Sequence, residues 1–133
     1  MKIVVTGGAG FIGSHLVRQL LVEGHEVAVI DNFNDFYDPA IKRANVADFA
    51  GRVAIHEADI CDFGEMQDIL ARGKYDTIVH LAARAGVRPS IQNPKGYIDT
   101  NITGTYNLLE GARAAGTNHF VFASSSSVYG LSK

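Results

Sequence analysis

The sequence predicts an α/β protein built on one doubly wound parallel sheet, with about five strands in the order 3-2-1-4-5 and helices on both faces. Short apolar runs alternate with amphipathic runs along all 133 residues. A glycine-rich turn also joins the first apolar run to the first amphipathic run. Right-handed crossovers reverse the strand order between strands one and four. We therefore expect a ligand at the carboxyl ends of those two strands.

The first strand and the first helix flank the glycine turn. Residues 3–5 form a short apolar strand, and residues 11–23 have the apolar spacing of a helix. Between them, Gly8, Gly10 and Gly13 satisfy the dinucleotide-binding spacing G-x-G-x-x-G. The first glycine permits a sharp turn, the second lets the backbone approach a pyrophosphate, and the third lets the helix pack close to the strand. The alternative is a glycine-rich turn that binds no ligand.

The same turn also fits a second spacing, T-G-x-x-G-x-x-G, through Gly7. In either register, the start of the helix offers unpaired N–H groups and the positive end of a dipole to phosphates. The backbone N–H groups of Phe11 and Ile12 are therefore candidate phosphate ligands, and we expect their side chains to lie in the core.

An acidic residue ends the second strand, which is predicted over residues 26–30. Asp31 follows Gly13 by 18 positions, close to the roughly 20 typical of the acid that binds the adenosine ribose. We expect Asp31 to accept hydrogen bonds from both ribose hydroxyls and to repel a 2′-phosphate, so NAD is favoured over NADP. Asn32 is a second polar contact. A strand-end cap is the alternative, but a turn that binds nothing has no need of an acid here.

The third strand, residues 52–56, lies between helices predicted over residues 40–49 and 63–72. At its exit, Asp59 is placed to reach the amino group of an adenine, and Ile60 to lie against the ring. A helix cap or a solvated aspartate is the alternative for Asp59.

The fourth strand is predicted over residues 77–83, because its near-continuous apolar run is typical of a central parallel strand. Leu81, Ala82 and Ala83 at its end leave room for a cofactor, although small residues also suit a crowded sheet. We interpret His80 as a buried strand residue rather than a catalyst.

The last third of the sequence is predicted to form a polar connection, a long helix and a fifth strand. The connection spans residues 84–93, the helix residues 95–115 and the strand residues 119–123. Gly104 and Gly111 lie within the helix, where we expect them to allow close packing on the sheet.

The composition excludes several classes of function. The net charge is −2 with no basic cluster, so neither nucleic acid nor an anionic membrane surface is an expected partner. No apolar run approaches the roughly 20 residues of a membrane span, and no signal-peptide pattern is present. Cys61 is the only cysteine, which excludes an internal disulfide. We expect it to be a small buried group in a cytoplasmic protein. The five histidines are scattered, so no metal site is expected.

The chain resembles the NAD-dependent sugar-nucleotide epimerase/dehydratase family, the extended branch of the short-chain dehydrogenases/reductases. The resemblance is carried by residues 6–13, 31–32, 80–83, 101–105 and 124–130. Within that family, residues 31–38 and 85–90 are most similar to UDP-glucuronate 4-epimerases. The resemblance implies that residues 1–133 are an NAD-binding Rossmann domain whose C-terminal substrate domain is absent.

The resemblance also implies the site residues. The NAD contacts would be Gly7, Gly10, Phe11, Ile12, Gly13, Asp31, Asn32, Asp59, Ile60, Leu81, Ala82, Ala83 and Asn101. Ser125 would be the active-site hydroxyl, with Ser127 a second candidate and Ser126 a substrate contact. Such epimerases oxidise C4 of a UDP-sugar to a ketone, let the ketone rotate, and return the hydride to its other face.

Dehydratases of the family place Asp-Glu where this chain has Ser126 and Ser127. Without that acid/base pair, epimerisation is favoured over dehydration. Two alternatives stay open: the NAD domain of a dehydratase, and a non-catalytic dinucleotide-binding module.

The family's catalytic Tyr-x-x-x-Lys pair is expected on a helix after the fifth strand. Tyr129 and Lys133 match the letters of that pattern, but we interpret the match as a coincidence, because Gly130 weakens a helix there. The chain alone is therefore expected to be inactive.

Two further expectations concern substrate and partners. Arg88, or Arg84, could pair with the carboxylate of a UDP-linked uronic acid, with a solvated loop arginine as the alternative. The apolar edge formed by residues 120–123 predicts a homodimer or a swapped assembly.

Overall fold

The computed structural model describes residues 1–130, in which strands and helices alternate. The strands are β1 (Lys2–Thr6), β2 (Glu26–Asp31), β3 (Ala54–Glu57), β4 (Thr77–His80) and β5 (His119–Phe122). The helices are α1 (Phe11–Val22), α2 (Pro39–Val46), α3 (Phe63–Gly73), α4 (Val87–Gln92), α5 (Pro94–Ile98) and α6 (Thr105–Ala115). A π-helical segment (Asp99–Gly104) joins α5 to α6, and a 3₁₀ turn (Ser126–Tyr129) follows β5.

All five strands pair in parallel, in the order β3-β2-β1-β4-β5, so the predicted fold class is confirmed. β1 is central, and its Val4 pairs with Ala28 of β2 on one side and with Ile78 of β4 on the other. The chain leaves β1 toward β2 and later returns to the other side of β1 as β4. The connections at these carboxyl ends therefore diverge and leave a crevice between them.

Two apolar layers cover the faces of the sheet, because successive strand residues point to opposite sides. One layer packs the sheet against α3 and α6, and it includes Val4, Ile30, Ile78, Met66, Leu70 and Leu108. The other packs it against α1 and α2, and it includes Ile3, Val5, Val29, Val17, Val46 and Phe49. None of the helices within residues 1–130 has the length and apolar character needed to cross a membrane.

The connection predicted as a loop over residues 84–93 contains α4, so that prediction was wrong in part. Pro89 occupies the first turn of this helix, where a backbone N–H has no helical acceptor and its loss carries no penalty. Gly86 precedes the helix with a φ of 102°, a value that favours glycine.

The long helix predicted over residues 95–115 is interrupted by the π-helical segment. The predicted glycine contacts were also wrong. A Cβ at Gly104 would lie 2.6 Å from the Ile60 side chain, and one at Gly111 would lie 2.5 Å from Cδ1 of Leu70 in α3. These glycines therefore allow α6 and its N-terminal extension to approach α3 and the segment after β3, rather than the sheet.

The strands also differ from their predicted bounds, most of all β3, which begins later, and β4, which ends at His80. The end of β4 has a specific cause in β1. The Leu81 N–H still donates to the carbonyl of Thr6, at 3.1 Å. The next N–H, that of Ala82, donates to the Thr6 side-chain hydroxyl at 3.2 Å, so a side chain replaces the strand ladder there.

Candidate functional site

A cavity that is open to solvent lies where β1, β2 and β4 end. Nine of the residues predicted to bind the cofactor line it: Gly7, Gly10, Asp31, Asn32, Asp59, Ile60, Leu81, Ala82 and Ala83. They are distant in the sequence, and the parallel sheet brings them to one edge. The cavity is thus located at the reversal of strand order, where a ligand was expected.

The glycine turn forms one wall of this cavity. Gly7 has a φ of 70°, and a Cβ there would lie 2.8 Å from the backbone nitrogen of Ala82. The sharp turn therefore depends on Gly7 rather than on Gly8, in agreement with the T-G-x-x-G-x-x-G spacing. Gly13 brings α1 against the turn, since its Cβ would lie 2.2 Å from the Gly7 carbonyl oxygen.

The start of α1 is suited to bind an anion. Its N-cap, Gly10, provides no side-chain hydrogen bond, and the first turn contains no acidic residue. The first N–H groups of a helix have no intrahelical acceptor, so those of Phe11, Ile12 and Gly13 are available to a phosphate. The prediction that the Phe11 and Ile12 side chains serve the core was wrong. They are 74% and 70% exposed, because the first turn of α1 extends beyond the covered part of the sheet.

Asp31 is buried at the end of β2, where its carboxylate is held by three donors. Oδ2 accepts from the Ala9 N–H at 3.1 Å, and Oδ1 accepts from the Phe33 N–H at 2.9 Å. The third donor is the ammonium of Lys42, 3.1 Å from Oδ1. Lys42 was not predicted as a site residue, because nothing in its position on α2 shows that its side chain turns inward.

Asp59 also lines the cavity and is held by hydrogen bonds from its neighbours. It accepts hydrogen bonds from Asn32 Nδ2 and from the Cys61 N–H, both at 2.8 Å. Partial burial opposes ionisation of Asp59, but these hydrogen bonds hold its pKa below the ordinary value. A charged carboxylate is therefore present beside Ile60, as an adenine contact requires. The same geometry is also that of a local turn, the alternative considered for Asp59.

Cys61 is only half-buried, which corrects the expectation of a fully buried group. Its thiol donates to the Asp99 carbonyl at 3.4 Å. Burial, together with the nearby carboxylate of Asp59, raises the pKa of the thiol to about 11. The thiol is therefore protonated at neutral pH and is a poor nucleophile or metal ligand. Within residues 1–130, no group of three or more His, Cys, Asp or Glu side chains could hold a metal ion.

Asn101 lies in the π-helical segment and contacts the chain leaving β4. Its Oδ1 accepts from the Arg84 N–H at 2.8 Å, and its Nδ2 donates to the Arg84 carbonyl at 3.0 Å. Asn101 thus fixes the backbone that lines the cavity, and it does not line that cavity itself. It lines an adjoining cleft instead, together with His80, Ala83 and Ser125.

His80 is fully buried, as expected, and joins β1 to α6. Its Nδ1 lies 2.7 Å from the Thr6 hydroxyl, and its Nε2 lies 2.9 Å from the Thr105 hydroxyl. Thr105 donates its proton to the carbonyl of Asn101, so it must accept from Nε2–H. This assigns a neutral imidazole that carries its proton on Nε2 and accepts at Nδ1 from Thr6.

We expect His80 to make folding stability depend on pH. Burial lowers the pKa of His80 to about 4 from an ordinary value of 6.5. Between these values the unfolded chain binds more protons than the folded chain, so the stabilisation is complete above pH 6.5 and falls as the pH decreases toward 4. The loss amounts to at most about 1.4 kcal/mol per pH unit.

Urea denaturation across this range measures the effect. The part of the slope that is due to His80 should be absent in His80→Gln. His119→Gln, which replaces an exposed histidine by the same residue, is the control for the substitution itself. An equal slope in the wild type and His80→Gln would contradict the assignment.

The serines after β5 lie at the mouth of the adjoining cleft. Ser125 lines it, and its hydroxyl donates to the Ser127 hydroxyl at 3.2 Å. The Ser127 N–H in turn donates to the Ser125 hydroxyl oxygen. Ser126 begins the 3₁₀ turn, and all three serines are exposed. The structure thus brings Ser125 near Asn101 and Ala83, and it leaves Ser126 and Ser127 outside the residues that line the cleft.

Two other predicted positions line neither cavity. Arg88 is exposed on α4. Tyr129 ends the 3₁₀ turn and is 86% exposed, whereas Lys133, its predicted coincidental partner, lies outside the described residues.

Other residues lining the cavity were not predicted. They are Ile30, Asn34, Phe36, Tyr37, Lys42, Ala58 and Thr100, and Arg84, which was predicted only as a candidate partner of a substrate carboxylate, also lines the cavity. Four of them follow β2, in the Asn- and Asp-rich connection and on α2. The composition of that connection predicts a turn, but it does not predict that side chains approach the site.

Comparison with known proteins places this site in context. The model of the GDP-mannose 4,6 dehydratase family matches residues 4–133. UDP-glucuronate 4-epimerase 3 of Arabidopsis thaliana is 44% identical over 133 residues, which cover 98% of this chain and 31% of that protein. UDP-glucose 4-epimerase 2 of Oryza sativa subsp. japonica is 42% identical, with 98% and 33% covered. The chain thus spans about a third of these relatives.

Solved structures of similar sequence share the fold. The UDP-Glc/GlcNAc 4-epimerase of Campylobacter jejuni superposes with a TM-score of 0.88 at 38% identity, covering 97% of this chain and 38% of that one. The UDP-glucose 4-epimerase of Thermus thermophilus, in complex with NAD, gives 0.83 at 38% identity, covering 94% and 38%. The dTDP-glucose 4,6-dehydratase DesIV of Streptomyces venezuelae, with NAD and TYD bound, gives 0.78 at 38% identity, covering 90% and 38%.

Proposed function

The chain belongs to the family of nucleotide-sugar epimerases and dehydratases, and we propose that it is the NAD-binding part of a nucleotide-sugar 4-epimerase. One observation carries the proposal. A single cavity brings together the glycine turn, the buried carboxylate of Asp31 and the segment leaving β4. Because the chain spans about a third of its relatives, the activity is proposed for the whole protein and not for this chain alone.

The residues present fit a dinucleotide. The uncapped start of α1 supplies N–H donors for a pyrophosphate, and the backbone can approach closely at Gly7 and Gly10. Asp31 supplies a carboxylate for the adenosine ribose, and Asp59 with Ile60 supplies a polar and an apolar contact for adenine. The small side chains of Ala82 and Ala83 leave space at the end of β4. When bound, NAD would supply a reversible hydride acceptor.

In that role, Ser125 would hydrogen-bond the reacting O4 of the sugar. Its hydroxyl lies on the turn after β5, within the cleft that adjoins the cofactor cavity. The base that removes the O4 proton would be the tyrosine of the Tyr-x-x-x-Lys pair expected on a helix after β5, because Tyr129 is exposed and lies on the turn itself. Ser126 is a candidate substrate contact, and Ser127 is a second candidate for the hydroxyl.

Epimerisation is favoured over dehydration by two residues. The family resemblance puts an Asp-Glu pair in dehydratases at the positions of Ser126 and Ser127, and hydroxyls cannot supply the general acid and base that elimination of water needs. The similarity to DesIV keeps a dehydratase as the second candidate. Similarity to UDP-glucuronate 4-epimerases makes a UDP-uronic acid the proposed substrate, with Arg88 as a candidate partner of its carboxylate.

Titration with NAD and with NADP tests the proposed cofactor. We expect the purified chain to bind NAD at least about tenfold more tightly, because a 2′-phosphate would meet the carboxylate of Asp31. Isothermal titration calorimetry measures both dissociation constants. Equal affinities, or tighter binding of NADP, would contradict the assignment of Asp31, and absence of binding to either would contradict the proposed function.

We also propose that the chain associates with a second copy through its exposed apolar surface. β5 forms one edge of the sheet, and its Val121 and Phe122 are 53% and 54% exposed. An apolar edge strand favours pairing with another chain. Further exposed apolar side chains form a stripe along α5, the π-helical segment and α6: Ile98, Ile102, Tyr106 and Leu109.

Light scattering at high concentration tests this association. The wild type should be dimeric, and Val121→Lys should shift it toward monomer, because an inserted charge opposes edge pairing. The control Val22→Lys, at the exposed end of α1, should leave the mass unchanged. A monomeric wild type would contradict the association altogether.

A further inference from the structure

We propose that Lys42 binds the adenosine ribose together with Asp31, and that this pair determines which dinucleotide the cavity accepts. The inference rests on the proposed function, because it concerns the same cavity. It follows from the number of hydrogen bonds that each member of the pair already makes.

Lys42 is an ammonium group enclosed at the wall of the cavity. Its side chain is 8% exposed, and it lines the cavity although it originates on α2. The Nζ atom lies 3.1 Å from Asp31 Oδ1 and 3.3 Å from Asn34 Oδ1. It also lies 5.5 Å from the centre of the Tyr37 ring. An ammonium has three donors, so these two acceptors leave one donor for a ligand.

Asp31 is close to saturation before any ligand arrives. Its two oxygens offer about four lone-pair positions. Three of them are used by the N–H groups of Ala9 and Phe33 and by Lys42. One position remains, so the carboxylate alone cannot accept from both hydroxyls of a ribose. This corrects the expectation that Asp31 binds both hydroxyls by itself. The second hydroxyl needs another partner, and the free donor of Lys42 is next to it.

The charges of the pair determine selectivity. In the wild type the Asp31 carboxylate repels a 2′-phosphate, and the Lys42 ammonium offsets the charge of that carboxylate. When Asp31 is replaced by the isosteric Asn, the acceptor oxygen is kept but the ammonium loses its counter-ion. A buried cation without a partner is unfavourable, and a 2′-phosphate restores the pair. Asp31→Asn should therefore bind NADP through Lys42.

Calorimetric titration of four proteins with NAD and NADP tests the inference: the wild type, Lys42→Met, Asp31→Asn and the double variant. Lys42→Met should weaken NAD binding about tenfold, the value of one lost charge-assisted hydrogen bond. Asp31→Asn should bind NADP at least about tenfold more tightly than the wild type does. The double variant should lose that gain, because no cation remains for the phosphate.

Lys2→Met is the matched control. Lys2 forms an ion pair of similar length with Glu26, 3.0 Å apart, on an exposed surface at the opposite end of the strands. Neither affinity should change in this variant. Circular dichroism confirms folding of each protein, and Lys42→Arg, which keeps the cation, should retain more NAD affinity than Lys42→Met.

The outcomes separate this inference from the proposed function. If the wild type binds NAD but Lys42→Met binds it equally well, the inference is overturned and the proposed function stands. The same holds if the NADP affinity of Asp31→Asn survives the loss of Lys42. If the wild type binds neither dinucleotide, both are overturned. If Asp31→Asn does not fold, the comparison of Lys42→Met with Lys42→Arg decides.

Discussion

Replacing Gly13 by alanine should destabilise the fold by about 3 kcal/mol, toward the upper end of the cost of overpacking, and weaken NAD binding at least about a hundredfold. A Cβ at this position would lie 2.2 Å from the Gly7 carbonyl oxygen and 2.7 Å from the Gly8 Cα. Both are backbone atoms, so α1 or the glycine turn has to move. That movement displaces the N–H groups that are proposed to bind the pyrophosphate.

Denaturation in urea and calorimetric titration with NAD measure the two effects. Gly64→Ala is the matched control, because Gly64 lies on α3 and a Cβ there would meet its nearest neighbour at 3.6 Å, an ordinary contact. It should change stability by less than about 1 kcal/mol and leave NAD binding unaltered. A Gly13→Ala protein as stable as Gly64→Ala would show that the contact relaxes without loss.

Replacing Asp31 by alanine should lower the free energy of unfolding by about 3–5 kcal/mol, the cost of leaving a buried charge without its partner. Lys42 would lose the carboxylate that lies 3.1 Å from its ammonium. The N–H groups of Ala9 and Phe33 would also lose their acceptors. NAD binding should fall below detection, because the ribose loses its acceptor as well.

Glu57 provides the control, since it pairs with Asp31 in register on the neighbouring strand. Glu57 forms an ion pair with Arg43, but both side chains are 55% exposed. Glu57→Ala should therefore cost less than about 1 kcal/mol. Denaturant titration of both variants at neutral pH compares them. Similar losses of unfolding free energy in the two variants would mean that the Asp31–Lys42 pair stabilises the fold no more than a surface ion pair does.

The order of the strands could be predicted from the sequence because it depends on a coarse property, the alternation of apolar strands and amphipathic helices. The right-handedness of each crossover then determines the order of the strands in the sheet. The local departures have physical causes that alternation does not contain. α4 depends on a proline tolerated in its first turn, and the π-helical segment is not visible in the spacing of apolar residues. The end of β4 depends on a single hydroxyl, that of Thr6.

Residues placed by the backbone were the most predictable part of the site. Asp31 ends a strand, Asp59 and Ala82 follow strands, and the carboxyl ends of parallel strands must meet at one edge. Lys42 was missed because its contribution depends on the direction of a long side chain. The side chains of Phe11 and Ile12 were misplaced for a related reason. Apolar character predicted burial, but the first turn of α1 has no layer above it.

The hydrogen bonds around His80 bear on how the sequence can evolve. Each of the three groups in the series has a fixed direction of donation, from the Thr6 hydroxyl to His80, from His80 to Thr105, and from Thr105 to the Asn101 carbonyl. A change at one position leaves a buried donor or acceptor at the next position without a hydrogen-bond partner. We therefore expect substitutions at positions 6, 80 and 105 to be coupled. Replacement of the histidine should be tolerated better when both threonines change with it.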